Sequence, residues 1–158
     1  MRTMKFTLGI FLLATTVFLA CRKNNSSTGV PANAEYFIFG KVGGFCPSVC
    51  AQYFKIAGGK VYKSYVDSAT NIVYPDTAMP ADKYNIALPA MTSFPAYLSA
   101  HPNTNIRCTT CADMSYIRLE YKSGGKIYEW FIDYPYDGIP SSILPYMDQV
   151  NNIISSLE

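Results

Sequence analysis

The chain is poor in histidine, with His101 the only one among 158 residues. Nucleophilic triads and Cys-His pairs are built around an imidazole, so that class of hydrolase has almost nothing to work with. His101 stands at the end of an expected short helix and reads as a surface polar residue. The chain also lacks an excess of one charge: 13 Lys and Arg face 11 Asp and Glu, and neither sign is clustered. Such a balance creates no long-range field, which argues against a nucleic-acid partner. No phosphate loop is present, because no Lys-Ser/Thr follows Gly58-Gly59 or Gly124-Gly125 into a helix. The longest uncharged apolar run, Phe6 to Ala20, falls short of the roughly 20 residues that span a bilayer.

That run has a different use. Arg2 and Lys5 precede it as a short basic region, and the run then fits the apolar stretch of a secretory signal over residues 1–20. It ends Phe18-Leu19-Ala20-Cys21. These residues resemble the lipobox of bacterial lipoproteins, in which a small residue precedes the cysteine that is acylated. Phe18 stands where that pattern usually has Leu, and it keeps the position apolar. The resemblance implies a lipid-bearing N-terminus at Cys21, with each buried acyl CH₂ contributing about 0.8 kcal/mol of membrane affinity. Residues 21–34, continuing RKNNSSTGVPANA after the cysteine, are polar and small and are expected to form a flexible tether. Removing Arg2 and Lys5 with the signal takes the basic count from 13 to 11, level with the acidic count.

Residues 35–158 have the size of one domain. They are rich in aromatics, with 13 Tyr and 9 Phe in the chain, which favours sheet. Strands are expected over Glu35–Val42, Gln52–Ile56 and Lys60–Val66, the last two joined by a Gly58-Gly59 turn. Residues Asp67–Pro89 carry several turn formers and are expected to be mostly loop. Ser93 is expected to cap a short helix that runs to Ala100. Tyr116–Tyr121 and Lys126–Asp133 alternate cleanly around Gly124-Gly125 and form the clearest hairpin. Ile143, Met147, Val150, Ile154 and Leu157 mark an amphipathic helix over Leu144–Leu157. The expected fold is therefore α+β, a largely antiparallel sheet of about five strands packed by the C-terminal helix and one short helix.

Beside Cys21, four cysteines remain: Cys46, Cys50, Cys108 and Cys111. An even count in an oxidising compartment points to disulfides. Bridges within Cys46/Cys50 and Cys108/Cys111 remove little unfolded-state entropy, about 2 kcal/mol each, whereas a bridge between the pairs contributes about 4 kcal/mol. That difference favours cross-bridging. Four thiolates in two close pairs are also a zinc or copper set, a reading that conflicts with the oxidising compartment. Gly44-Phe45-Cys46-Pro47-Ser48-Val49-Cys50 resembles the C-P-x-x-C loop of the copper-chaperone thioredoxins called Sco proteins. The long helix and distal histidine of those folds have no counterpart after Cys50.

Asp133, Asp137 and Asp148 read as strand-end, turn and helix-surface residues, and Asp113 as a turn residue. Tyr134 and Tyr136 form an aromatic loop that would stack on a sugar ring or a partner. The mature part also resembles a group of small Bacteroidota lipoproteins. The likeness lies in Tyr36–Gly40, the Cys46/Cys50 loop, Cys108–Asp113, Ile117–Tyr121 and Trp130–Asp133, and it brings no assigned activity. Arg22-Lys23-Asn24-Asn25 lacks an acidic export signal, which points to an outer-membrane anchor facing the periplasm. The expected function is a non-enzymatic interaction or accessory module of the envelope. It needs no cofactor, and its partners are the membrane and an envelope protein. Glycan binding through Tyr134 and Tyr136, and a thiol or metal role for the four cysteines, are the alternatives.

Overall fold

The computed structural model describes residues 29–43, 51–67, 71–111, 114–135 and 137–158. The order is β1 (Ala34–Val42), β2 (Ala51–Ala57), β3 (Lys60–Lys63), β4 (Tyr65–Val66), β5 (Ile72–Val73), α1 (Ala81–Thr92), α2 (Ala96–Ala100), β6 (Asn105–Ile106), β7 (Tyr116–Ser123), β8 (Lys126–Asp133) and α3 (Leu144–Leu157). The α+β class holds, with six strands in the main sheet, ordered β3-β2-β1-β7-β8-β6, and a separate β4-β5 pair. The main sheet is antiparallel apart from β6, which runs parallel to β8. The sequence signals for β8 and α3 fall on the observed bounds.

Period-2 alternation decides which side of the sheet is dry. Phe37 and Phe39 of β1 face Ile56 and Phe54 of β2 across one ladder and Tyr121 and Leu119 of β7 across the other. β8 continues the row with Trp130 opposite Leu119 and Ile132 opposite Ile117. These side chains, with Val61 of β3, form one buried cluster with Phe94, Leu98 and the apolar stripe of α3. Helices α1 and α3 pack together over this face. Phe94 sits in the middle, with edge-on contacts to Phe37, Tyr121, Trp130 and Tyr146 at centroid distances of 5.0 to 6.0 Å. The outer face carries Tyr36, Tyr53, Lys55, Arg118, Glu120, Glu129 and Phe131.

The structure corrects four expectations. Much of 67–89 is not loop: α1 occupies Ala81–Thr92 with Pro89 inside it. Pro89 cannot donate to the turn before it, which is why a helix was not expected there. Its Ala87 and Ala90 are wholly buried, so the helix is held by close packing rather than by propensity. Residues 60–66 are not one strand: β3 ends at Lys63, and Tyr65–Val66 pairs with Ile72–Val73 instead. Ser93 does not cap α2, whose N-cap is Pro95 with no side-chain bond. The last part of the 21–34 tether is already part of the domain. The Gly29 amide donates to the Phe94 carbonyl at 2.9 Å, the Val30 amide donates to the Met91 carbonyl at 3.1 Å, and Val30 packs on the core. Residues 1–20 and Cys21 lie outside the described residues.

Candidate functional site

Strand direction gathers one set of polar groups at one end of the sheet. β1 finishes there at Val42, opposite the start of β2 at Ala51 and the start of β7 at Tyr116. β8 finishes there at Asp133, opposite Tyr116. Because β6 runs parallel to β8, its continuation into Arg107 and Cys108 emerges at the same end. The result is a groove of about 370 Å³ lined by Gly43, Arg107, Cys108, Cys111, Met114, Tyr116 and Asp133.

A disulfide joins Cys108 to Cys111, with Cα atoms 5.4 Å apart. The cross-bridge between the two cysteine pairs is thereby overturned for Cys108 and Cys111, because the chain doubles back through Thr109 and Thr110 and brings their own sulfurs together. Bonded to each other, these sulfurs are not thiolates and cannot complete a four-thiolate metal site with Cys46 and Cys50. Among the described residues no group of three or more His, Cys, Asp or Glu side chains comes together to hold a metal ion. Cys46, Cys50 and Asp113 lie outside the described residues.

Asp133 anchors the groove floor and is 4 % exposed. Its Oδ2 accepts the Cys108 amide at 2.9 Å. Its Oδ1 is 3.5 Å from an Arg107 guanidinium nitrogen and takes no hydrogen bond. Arg107 itself is 45 % exposed. Its guanidinium lies 4.7 Å from the Tyr116 ring centroid and 5.5 Å from that of Phe131. Arg118 continues this pattern, set over Phe131 at 5.8 Å and over Tyr53 at 5.6 Å. Cations and rings thus alternate from the groove across the outer face.

Beyond them the face is closed by internal pairing. Arg118 forms ion pairs with Glu120 and, at 2.7 Å, with Glu129. Burial works against its charge, but the two carboxylates more than compensate, and its pKa is raised. The Tyr36 hydroxyl donates to Glu120 at 2.7 Å. Burial, followed by that bond, pushes Tyr36 up to about 12. Burial likewise raises Tyr53 and Tyr74. Lys55 Nζ lies 5.5 to 5.9 Å from the centroids of Tyr36, Tyr62 and Tyr74, so that ring cluster is filled by the chain's own ammonium.

Tyr134 lies apart from this surface. Its hydroxyl donates to Asp148 on α3, a bond that raises its pKa, its amide donates to the Ser115 carbonyl at 3.0 Å, and its ring packs on the core. Tyr136 lies outside the described residues. Asp133 and Asp148 therefore have separate partners and do not form a carboxylate pair. His101 stacks on Tyr97 at 4.4 Å, its Nδ1 donates to the Tyr97 carbonyl at 2.8 Å, and its own carbonyl accepts the Trp130 indole N–H at 2.8 Å.

Sequence reasoning missed Arg107 and the link from Asp133 to Cys108. Both depend on β6, two residues long, which no periodic signal can reveal. No known family model matches the chain, and no curated protein or solved structure matches it. Fold and groove together define an α+β domain with a disulfide-edged, arginine-bearing cleft at one end of its sheet.

Proposed function

We propose that the chain is a lipid-anchored module of the bacterial cell envelope, tethered at Cys21, that docks a partner protein on the groove at the end of its sheet. The observation that carries this reading is Arg107, 45 % exposed and laid over Tyr116 and Phe131 beside a cleft. Arginine and aromatic side chains are the residues most enriched at binding hot spots, and a guanidinium held over rings loses less freedom when a partner covers it. Two carboxylates away from the groove are engaged within the domain: Glu120 by Tyr36 and Arg118, Asp148 by Tyr134. No described helix is long and apolar enough to cross a membrane, and the proposed attachment is the acyl group on Cys21, set to face the periplasm. Only seven residues separate Cys21 from Gly29, which is bonded to Phe94 in the domain.

Two measurements test the two halves of this reading. Labelled palmitate should enter the wild-type protein and not Cys21→Ser; equal labelling of both would overturn the anchor. A photo-crosslinking residue at Tyr116 should trap an envelope protein that the same residue at Ile127, exposed at the far end of the sheet, does not. Loss of that crosslink in Arg107→Ala supports docking at the groove, and an unchanged crosslink overturns it.

A further inference from the structure

The Cys108–Cys111 bond lies at the lip of the groove, and the fold has little structural need of it. Its ring contains only two intervening residues, so it removes little freedom from the unfolded chain. The segment before it is already held by β6–β8 pairing and by the Cys108 amide on Asp133. The two cysteines differ in access. Cys111 is exposed, whereas Cys108 is only 9 % exposed. The surroundings of Cys108 are those of a sulfur that changes charge. The Thr110 hydroxyl is 3.7 Å from its Sγ, the Arg107 guanidinium shares the groove, and the Asp133 carboxylate that holds its amide keeps one buried oxygen that takes no hydrogen bond and is paired with Arg107 only at 3.5 Å. A buried carboxylate oxygen held only by a long ion pair keeps its hydrogen-bonding capacity open to a proton.

We infer that Cys108–Cys111 is an exchangeable disulfide that accepts two electrons from the dithiol of a partner protein seated in the groove. This names the chemistry of the partner and so rests on the docking reading. The first partner thiolate attacks Cys111 Sγ, the accessible sulfur. The Cys108–Cys111 bond breaks, and its electron pair leaves on Cys108 Sγ. That thiolate is stabilised by the Thr110 hydroxyl and the Arg107 charge until water protonates it. The second partner thiolate then attacks the partner's own sulfur in the mixed disulfide and releases Cys111 as a thiolate, which water also protonates. The partner has lost two electrons and two protons and holds a disulfide; Cys108 and Cys111 have gained both. In the return direction Asp133 receives the Cys108 proton, so that the thiolate reforms and attacks an incoming disulfide.

The test uses the mature chain carrying Cys21→Ser, Cys46→Ser and Cys50→Ser, so that Cys108 and Cys111 are the only thiols that report. Dithiothreitol serves as the small dithiol and oxidised glutathione as the returning oxidant. The expected result is reduction in the native state, without denaturant, with near-ultraviolet dichroism and melting temperature almost unchanged. A bond that opens only on unfolding, or whose opening collapses the fold, overturns the inference. Asp133→Asn should slow reoxidation about tenfold at pH 6 and much less at pH 9, where hydroxide takes the thiol proton directly, so that the rise with pH steepens, as loss of a positioned base does. Should that variant not fold, Arg107→Gln is the alternative: attack by the dithiothreitol thiolate should slow about threefold at low salt and converge with wild type at 1 M salt. An unchanged rate in both variants sinks the assigned environment. Dithiothreitol needs no docking surface. Native exchange without a groove crosslink would therefore overturn docking alone, and a crosslink with an inert disulfide would overturn exchange alone.

Discussion

At the residue scale, Gly40 is where the sheet tolerates least. It lies in the middle of β1, opposite Tyr53 on β2 and Arg118 on β7. A Cβ built there would collide with the Gln52 carbonyl oxygen and the Tyr53 ring. The obstacle on one side is backbone of a paired strand, which cannot turn aside as a flexible side chain can. Gly40→Ala should therefore destabilise the domain by about 1–3 kcal/mol, the usual cost of overpacking, read from urea unfolding. A full wild-type midpoint would mean that β1 and β2 are not paired in this register.

Tyr36 carries a prediction of a different kind. Its folded pKa, about 12, is above the value near 10 expected in the unfolded chain. The neutral hydroxyl is thus favoured by folding. Its contribution is fully present below pH 10 and is lost as the pH rises from 10 through 12. Tyr36→Phe removes that proton equilibrium, so the stability gap between wild type and variant should shrink across this interval, followed by chemical denaturation at each pH. A gap that stays constant would mean that neither burial nor the Glu120 bond raises the Tyr36 pKa.

At the scale of the element, α1 is a helix finished by its neighbours. Its C-terminal carbonyls need partners, and proline at position 89 leaves the helix weak within its own turn. The Pro89 carbonyl takes the Ser93 amide, that of Met91 takes the Val30 amide, and that of Ala90 takes the buried Tyr146 hydroxyl of α3 at 2.6 Å. Full burial also drives the Tyr146 pKa well up, so the hydroxyl stays protonated and able to donate. Tyr146→Phe keeps the ring contact with Phe94 and strands the Ala90 carbonyl. It should cost about 1–3 kcal/mol. The loss should appear as faster amide exchange at the end of α1 as well as a lower melting temperature. Unaltered protection there would mean that the hydroxyl is not the cap.

At the scale of the whole molecule, Phe94 joins the layers. It lies outside every regular element, between α1 and α2, yet it touches rings from β1, β7, β8 and α3. Its backbone carbonyl also receives Gly29. Phe94→Ala should cost about 3–5 kcal/mol, as truncation of a fully buried aromatic does. It should also broaden the unfolding transition, because helices and sheet lose their common contact. A cost below about 1 kcal/mol would show that the helical layer is held elsewhere. The same layering sets the groove apart from the helical layer, since α1 and α3 pack over one face of the sheet and the groove lies at the end where β8 finishes.

What the sequence determined by itself was whatever repeats with a period. Alternation marks Ile117, Leu119 and Tyr121 against Tyr128, Trp130 and Ile132, and those residues form the observed ladder. Steps of three and four mark α3, because one stripe of a helix must be dry. Glycine pairs mark both tight hairpin turns, each with positive φ. The tertiary structure alone decided the rest. It made a helix around Pro89 by burying Ala87 and Ala90, drew Gly29 and Val30 into the domain, and added the two-residue β6. It also closed Cys108 on Cys111 and set Arg107 over Tyr116 and Phe131. None of these has a period. Apart from the Cys108–Cys111 bond, which joins residues three positions apart, each depends on contacts between segments distant in sequence, so its free energy exists only once the sheet and its helices are in place.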